Sequence, residues 1–424
     1  MDRRCFLVGC SSAIAAMAGS RLNYAAFGTP GEEREVLIYV FLRGGMDGLS
    51  LVPPIDGPDR GFYEAARPEL KIAASGENAA FNLNGEFGLH ASAAPLLPLF
   101  QDGRLAIIQA AGMDAGTRSH FEAQEFIELG TPGKRTIANG WLSRVLLTDP
   151  SLADEVMIPS VSMGALQPTS LRGNRETLAL DESGRFSLDI GPYHWRDAQR
   201  LALRTLYRGR ESAVHAAGDQ ALNAVDIVEA FVTEDYQPAN GAEYPNAAFG
   251  GQLKGLAQLI KLDLGLRVAT IDLGGWDTHE NQGNRPGQYF GRLIEELSQG
   301  LAALYTDLDG GGAQNFNRRL TVVVQSEFGR RLRENADEGT DHGTGNLMLV
   351  LGGEVNGGFY GQWPGLDFDQ LFDNADLAVT TDFRRVLSEI LIRRMGNPRL
   401  SEVFPGYQGY TPLGIVQGED LTVV

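Results

Sequence analysis

The chain has 424 residues, 43% of them hydrophobic and 21% charged, with only 2 cysteines. That balance is globular and excludes a collagen-like, low-complexity or disulfide-stapled protein. The net charge of −18 opposes a phosphate backbone, so no nucleic-acid partner is expected.

The chain opens on MDRRCFLVGCSSAIAAMAGSRLNYAAFG, in which Arg3 and Arg4 precede an apolar, small-residue stretch from Cys5 to Ala18. Residues 1–26 read as a signal peptide, to be set apart from the fold. Arg3-Arg4 followed by Phe6-Leu7 resembles a twin-arginine signal, which implies the twin-arginine export machinery as partner and a periplasmic or extracellular location. A chance arginine pair on an ordinary secretory signal, or an uncleaved anchor, is the alternative. Cleavage after Ala18, or near Ala25 or Ala26, removes both Cys5 and Cys10. The exported protein then has no disulfide, thiolate ligand or cysteine nucleophile. No later stretch approaches the ~18 unbroken apolar residues of a membrane span.

Five apolar runs read as buried strands: Val36 to Leu42, Arg104 to Ala110, Arg267 to Leu273, Leu320 to Gln325 and Asn346 to Leu351. Helical periodicity is clearest at His120 to Leu129, Asp197 to Tyr207, Ser212 to Thr233, Phe249 to Leu262, Tyr289 to Leu308 and Thr381 to Arg394. Apolar strands separated by helices predict an α/β fold, a largely parallel sheet covered on both faces. The stretch from about 150 to 250 is poor in strand-like runs and is expected to be a helical insertion. With no flexible linker to isolate it, residues 27–424 are expected to form one domain.

Ligands of such sheets bind beyond the carboxyl ends of the strands. Asp47 follows the first run, Asp277 and His279 follow the run near 270, and Glu327 follows the run near 323. Asp341 and His342 precede the run near 350. Aspartate, glutamate and histidine gathered without cysteine suit a divalent cation such as zinc, manganese, calcium or magnesium.

Each residue also has a plain structural reading. Asp47-Gly48 is a common turn pair, Asp277 could cap a helix, Glu327 could hold Arg330 or Arg331, and Asp341-His342 could be a loop pair. Ser119 and Glu122 have capping-box spacing at the start of a helix. Yet a hydroxyl of Thr117 or Ser119, beside Arg118 and His120 at a helix N-terminus, is chemically placed for phosphoryl or sulfuryl transfer. Arg43 could neutralise an anionic substrate or pair with Asp47. His90 could be buried, supporting or substrate-facing, whereas His194 and His215 lie in the helical middle with no ligand set nearby. No Walker loop, dinucleotide-binding glycine loop or nucleophile elbow occurs at the strand-to-helix turns.

Several stretches together, FLRGGMDGLSLVPP, FGLHASAAPLLPLF, TRSHFEAQEF, GGWDTHENQ, VVVQSEFGRR, GTDHGTGNLMLVLGGEVNGGFYG and AVTTDFRRVLSEIL, resemble the exported family called domain of unknown function 1501. That family is in turn similar to the alkaline phosphatase and sulfatase superfamily. The resemblance implies an α/β/α sandwich that cleaves phosphate or sulfate esters with metal ions at the sheet edge. It implies metal-binding roles for Asp47, Asp277, His279 and His342, and places Ser119 or Thr117 in the nucleophile region. Ser326-Glu327-Phe328-Gly329 stands where the superfamily carries Asp-His-Gly, so Phe328 replaces a ligating histidine and one of two metal positions is weakened. Asp341 or His120 could stand in.

The expected function is an exported metal-dependent hydrolase of a phosphate or sulfate ester, with an anionic small molecule or glycan ester as substrate. The alternative is a non-catalytic exported binding or assembly protein on a degenerate scaffold. An isomerase or mutase of the same superfamily is a third option.

Overall fold

The structure is a computed structural model that describes residues 34–152, 158–164, 166–174, 177–180 and 196–207, the single positions 215, 218, 222 and 226, and residues 236–263, 265–310 and 315–424. The signal segment, His194 and the greater part of the predicted helix from Ser212 to Thr233 lie outside the described residues.

Among the described residues, nine strands build the main sheet: β1 (Val36–Leu42), β2 (Leu105–Gly112), β3 (Ser160–Met163), β4 (Thr177–Leu180), β5 (Val268–Leu273), β6 (Leu320–Ser326), β7 (Asn346–Gly352), β8 (Gly358–Tyr360) and β9 (Thr381–Asp382). They run in the order β8-β2-β7-β6-β1-β5-β3-β4, with β9 paired to β2. The longer helices are α1 (Pro58–Ala66), α2 (His120–Leu129), α3 (Trp141–Thr148), α4 (Arg196–Tyr207), α5 (Ala248–Leu262), α6 (Tyr289–Leu308) and α7 (Phe383–Arg393).

All seven residues of β1 are buried, as a strand covered on both faces requires. Successive side chains of a strand point to opposite faces. Val36, Ile38, Val40 and Leu42 accordingly join one core with Phe249 and Leu253 of α5 and Phe290 and Ile294 of α6. Leu37, Tyr39 and Phe41 join a second core with Ile127 of α2, Trp141 of α3 and Val386 of α7. The result is an α/β structure with helices on both sides of the sheet.

The sheet is mixed, with mostly parallel strands. β1 is parallel to β5 and β6, whereas β7 is antiparallel to both of its neighbours, β2 and β6. A parallel return normally needs a crossover helix. Between β6 and β7 the chain instead forms a two-stranded hairpin, Arg330–Glu334 against Thr340–His342. This reversal brings the amino end of β7 to the edge where β1, β5 and β6 have their carboxyl ends.

The stretch from 150 to 250, expected to be a helical insertion, carries two of the sheet's strands among its described residues. β3 and β4 lie within it and extend the sheet in parallel beyond β5. Each has four residues, too short for an apolar run to reveal.

Candidate functional site

Beyond the strand ends, the loops after β1, β2, β5 and β6 meet the hairpin. The turn after β1 is tight because Gly44 has φ +123°, and a Cβ there would lie 2.4 Å from the backbone nitrogen of Asp277. A side chain at this position would therefore push the first loop off the Asp277 loop.

Three side chains converge in this cleft. A ring nitrogen of His120, a carboxylate oxygen of Asp277 and a ring nitrogen of His342 all lie within 4.8 Å of one another. Asp277 Oδ1 is 3.3 Å from His120 Nε2 and 3.1 Å from His342 Nε2. Each imidazole is held from behind. His120 Nδ1 lies 2.7 Å from Glu327 Oε1, and His342 Nδ1 lies 2.7 Å from the carbonyl oxygen of Arg118. A ring whose Nδ1 hydrogen goes to an oxygen keeps Nε2 as its acceptor when neutral. Among the described residues, buried His120 Nε2 has no hydrogen-bond partner of good geometry, Asp277 Oδ1 being its near neighbour.

His279 adds a third ring at the rim. Its Nδ1 is 3.1 Å from Asp341 Oδ1, and its Nε2 is 2.8 Å from His342 Nε2 and 3.1 Å from Asp277 Oδ1.

Charge is tuned by the same contacts. Burial works against ionisation of Asp277, but the hydrogen bond and charge of Arg330, with His342, outweigh it and hold the carboxyl down at about 2. The hydrogen bond to Glu327 raises His120 above its ordinary value against the effect of burial. Burial lowers His342, despite its bonds to the Arg118 carbonyl and Asp277. Burial also opposes the charge on Glu327, yet bonds from His120 and Gln124 keep its carboxyl below the usual range. Asp341 is lowered because Asn335 and His279 outweigh its desolvation.

Several expected roles change. Asp47, expected at the cation, is fully buried in an ion pair with Arg67, 2.6 Å away, and also accepts hydrogen bonds from Ser50 and Gln282. Burial disfavours its charge, but Arg67 outweighs that and lowers its pKa. Its oxygens are engaged in joining α1's C-terminal neighbour to the first loop. Glu327 is likewise a support rather than part of the converging set: its oxygens accept from Gly44 N, His120, Gln124 Nε2 and Ser326 Oγ. Asp341 orients His279 and is absent from the three-residue convergence.

The hydroxyl and arginine roles also shift. Ser119 occupies the N-cap position of α2 without a side-chain capping bond, so the expected capping box does not form, and Ser119 is exposed. Glu122 bonds Thr117 Oγ1 and Arg135 instead, and Thr117 Oγ1 also accepts from Ser119 N. The Arg118 side chain is committed to Asp376 and Asp373, and Arg43 to Glu128 and Asp272. Neither arginine is an uncommitted oxyanion clamp. His90 is buried and caps the 91–96 turn by accepting from Ser92 N; its ring belongs to the scaffold.

Arg330 was not assigned this place by sequence reasoning. Fully buried, it donates to the carbonyls of Gly44, Gly45, Trp276 and Thr340 and lies 2.6 Å from Asp277 Oδ1. It thereby ties three loops of the site together. Phe328, where a ligating histidine was expected, is buried with its ring centroid 4.8 Å from that of His120 and 5.0 Å from that of His342. It walls the cleft with an apolar face.

The model of the family described as protein of unknown function (DUF1501) matches residues 130–399. The chain belongs to that family. The matched segment includes Asp277, His279, Glu327, Arg330 and His342, while His120 lies before it. No curated protein gives a match. No helix among the described residues is long and apolar enough to cross a membrane.

Proposed function

We propose that this protein is an exported hydrolase of phosphate or sulfate esters that uses one divalent cation at His120, Asp277 and His342. The observation that carries the reading is the convergence of three ligand atoms within 4.8 Å, two of them on imidazoles whose Nδ1 atoms face oxygen acceptors. Carboxylate or carbonyl partners behind metal-bound histidines fix the tautomer and strengthen the ligand. A tetrahedral site with bonds of about 2.0–2.1 Å has ligand–ligand edges of roughly 3.3–3.4 Å, close to the 3.1 and 3.3 Å separations from Asp277. The nitrogen-rich set suits zinc better than manganese, calcium or magnesium, which favour oxygen ligands.

When bound, such a cation would supply Lewis-acid polarisation of the ester and acidification of a nucleophile. The chain's own groups do the rest. Glu327 and the Arg118 carbonyl hold the two imidazoles. Asp341 orients His279 so that Nε2 faces the cleft, where it can take the proton of the attacking hydroxyl and return it to the leaving oxygen. That hydroxyl belongs to water or to Ser119, whose side chain makes no capping bond; if Ser119 attacks, a second attack by water must then break the Ser119 ester, returning the hydroxyl and releasing the phosphate or sulfate. Arg330 fixes Asp277 and adds positive charge behind the developing oxyanion.

An alkaline phosphatase-like scaffold, one domain over residues 27–424 and twin-arginine export belong to the same proposal. They are supported by the strand-end placement of the site and by the Arg3-Arg4 segment. The test is hydrolysis of a panel of phosphate and sulfate esters by protein loaded with zinc or manganese, compared with chelated protein and Asp277→Ala. Activity that survives in Asp277→Ala contradicts the reading.

A second reading, a non-catalytic exported binding protein, is favoured by the grip of Arg330 on Asp277 and by Phe328 in place of a ligand. It expects a stable co-purifying partner and an unchanged cellular phenotype for Ser119→Ala.

A further inference from the structure

We propose that the site selects a tetrahedral ester group bearing one negative charge, as in a phosphodiester or a sulfate monoester, over a dianionic phosphate monoester. The inference rests on the hydrolase reading above and narrows its substrate class.

The argument is a balance of charges. With both ligand imidazoles neutral, Asp277 and the Glu327 carboxylate behind His120 contribute two negative charges, and buried Arg330 contributes one positive charge. A divalent cation brings this centre to a net charge of about +1, enough for one anionic oxygen. A second charge on the substrate would need another cation at the rim.

Among the described residues, the rim does not supply one. Arg43 faces both Glu128 and Asp272. Arg118 faces both Asp373 and Asp376, and the fully buried Asp376 carboxylate also lies 3.8 Å from Arg331. Each of these arginines is matched by carboxylate, and Asp341 beside His279 adds a further negative charge. A dianion entering this cleft meets more negative than positive charge once the centre has been neutralised.

The experiment measures binding by calorimetry to zinc- or manganese-loaded protein at pH 8. The probes are dimethyl phosphate, methyl sulfate and methyl phosphate, the last a dianion at this pH. At least one monoanion is expected to bind roughly tenfold or more tightly than methyl phosphate, and the tighter of the two identifies phosphodiester or sulfate as the source. Asp373→Asn, which lies outside the ligand set and relieves Arg118 of one carboxylate, is expected to narrow the gap by strengthening methyl phosphate binding.

Methyl phosphate binding as tightly as both monoanions overturns the inference. The corresponding nitrophenyl esters, assayed in parallel, separate the two claims. Faster hydrolysis of the phosphate monoester overturns the charge selectivity alone. Selective monoanion binding without hydrolysis of any ester overturns the hydrolase reading and leaves the selectivity as a property of a binding site. Failure of folded, loaded protein to bind any probe overturns both.

Discussion

His279 and His342 face each other through their Nε2 atoms at 2.8 Å, while their Nδ1 atoms face Asp341 and the carbonyl oxygen of Arg118 respectively. Two neutral rings anchored in this way would direct two lone pairs at each other. A cation held by His342 Nε2 would relieve that opposition. Asp277 Oδ1, 3.1 Å from each of these nitrogens, adds another acceptor to the same space, so the cleft favours positive charge.

Protons and metal should therefore compete. Glu327 raises the pKa of His120, so the ring holds its Nε2 proton to a higher pH than an ordinary imidazole, and metal binding must release it. Below the raised pKa, zinc affinity should fall by about tenfold per pH unit for this one proton. Glu327→Gln removes the charge behind the ring and should move the fall in affinity to lower pH. Calorimetry in buffers of different ionisation enthalpy counts the proton released, and a pH-independent affinity with no proton release would contradict the arrangement.

Asp47 should behave as a structural residue. Asp47→Asn leaves Arg67 buried without its countercharge, which costs about 3–5 kcal/mol. Denaturant unfolding is expected to register that loss, while the folded fraction keeps its zinc stoichiometry. Loss of zinc from a fully folded Asp47→Asn protein would restore Asp47 to the ligand set.

His90 makes stability depend on pH. Burial lowers its pKa from the ordinary histidine value of about 6.5 to about 4, so the unfolded chain takes up the proton first. This contribution is fully present above about pH 6.5 and is lost progressively as pH falls to about 4, a change on the order of 3 kcal/mol. His90→Asn keeps an acceptor for Ser92 N and removes the titration. Its unfolding free energy should vary less between pH 7 and pH 4 than that of the wild type, and an identical slope would show that His90 is not the group responsible.

Gly44 should resist substitution. Its φ of +123° and the 2.4 Å approach of a Cβ to Asp277 N predict that Gly44→Ala costs more than about 2 kcal/mol and displaces the Asp277 loop. Thermal unfolding and zinc affinity should both decline. A variant with wild-type values in both would show that the loops are not packed in this way.

The sequence was most informative where one physical signal dominated. Val36 to Leu42 is an unbroken apolar run and forms the central buried strand; the periodicity from Tyr289 to Leu308 matches α6 to the residue. The direction of β7 was hidden, because an apolar run reads alike in a parallel or antiparallel strand and only the preceding hairpin reverses the chain. Asp277 and His342 were visible as polar residues beside strand ends. The separate role of Glu327 was not, because a supporting carboxylate and a ligating one have the same residue type. Arg330 was the hardest to read. Arginine is usually a surface residue, and here carbonyls from two distant loops and from its own hairpin satisfy it, a pairing that local sequence does not encode. The nearest signal was its place directly after Gly329 at a strand end.

The central claim is a single cation site built by His120, Asp277 and His342, and the most direct measurement is zinc and manganese stoichiometry. Exported protein stripped of metal should be titrated beside His120→Ala, Asp277→Ala, His342→Ala and Ser119→Ala. The account predicts one equivalent for wild type and Ser119→Ala, and at least a tenfold loss of affinity in each of the other three. Folded wild type that binds neither metal, or that keeps its affinity when Asp277 and His342 are replaced, would contradict it.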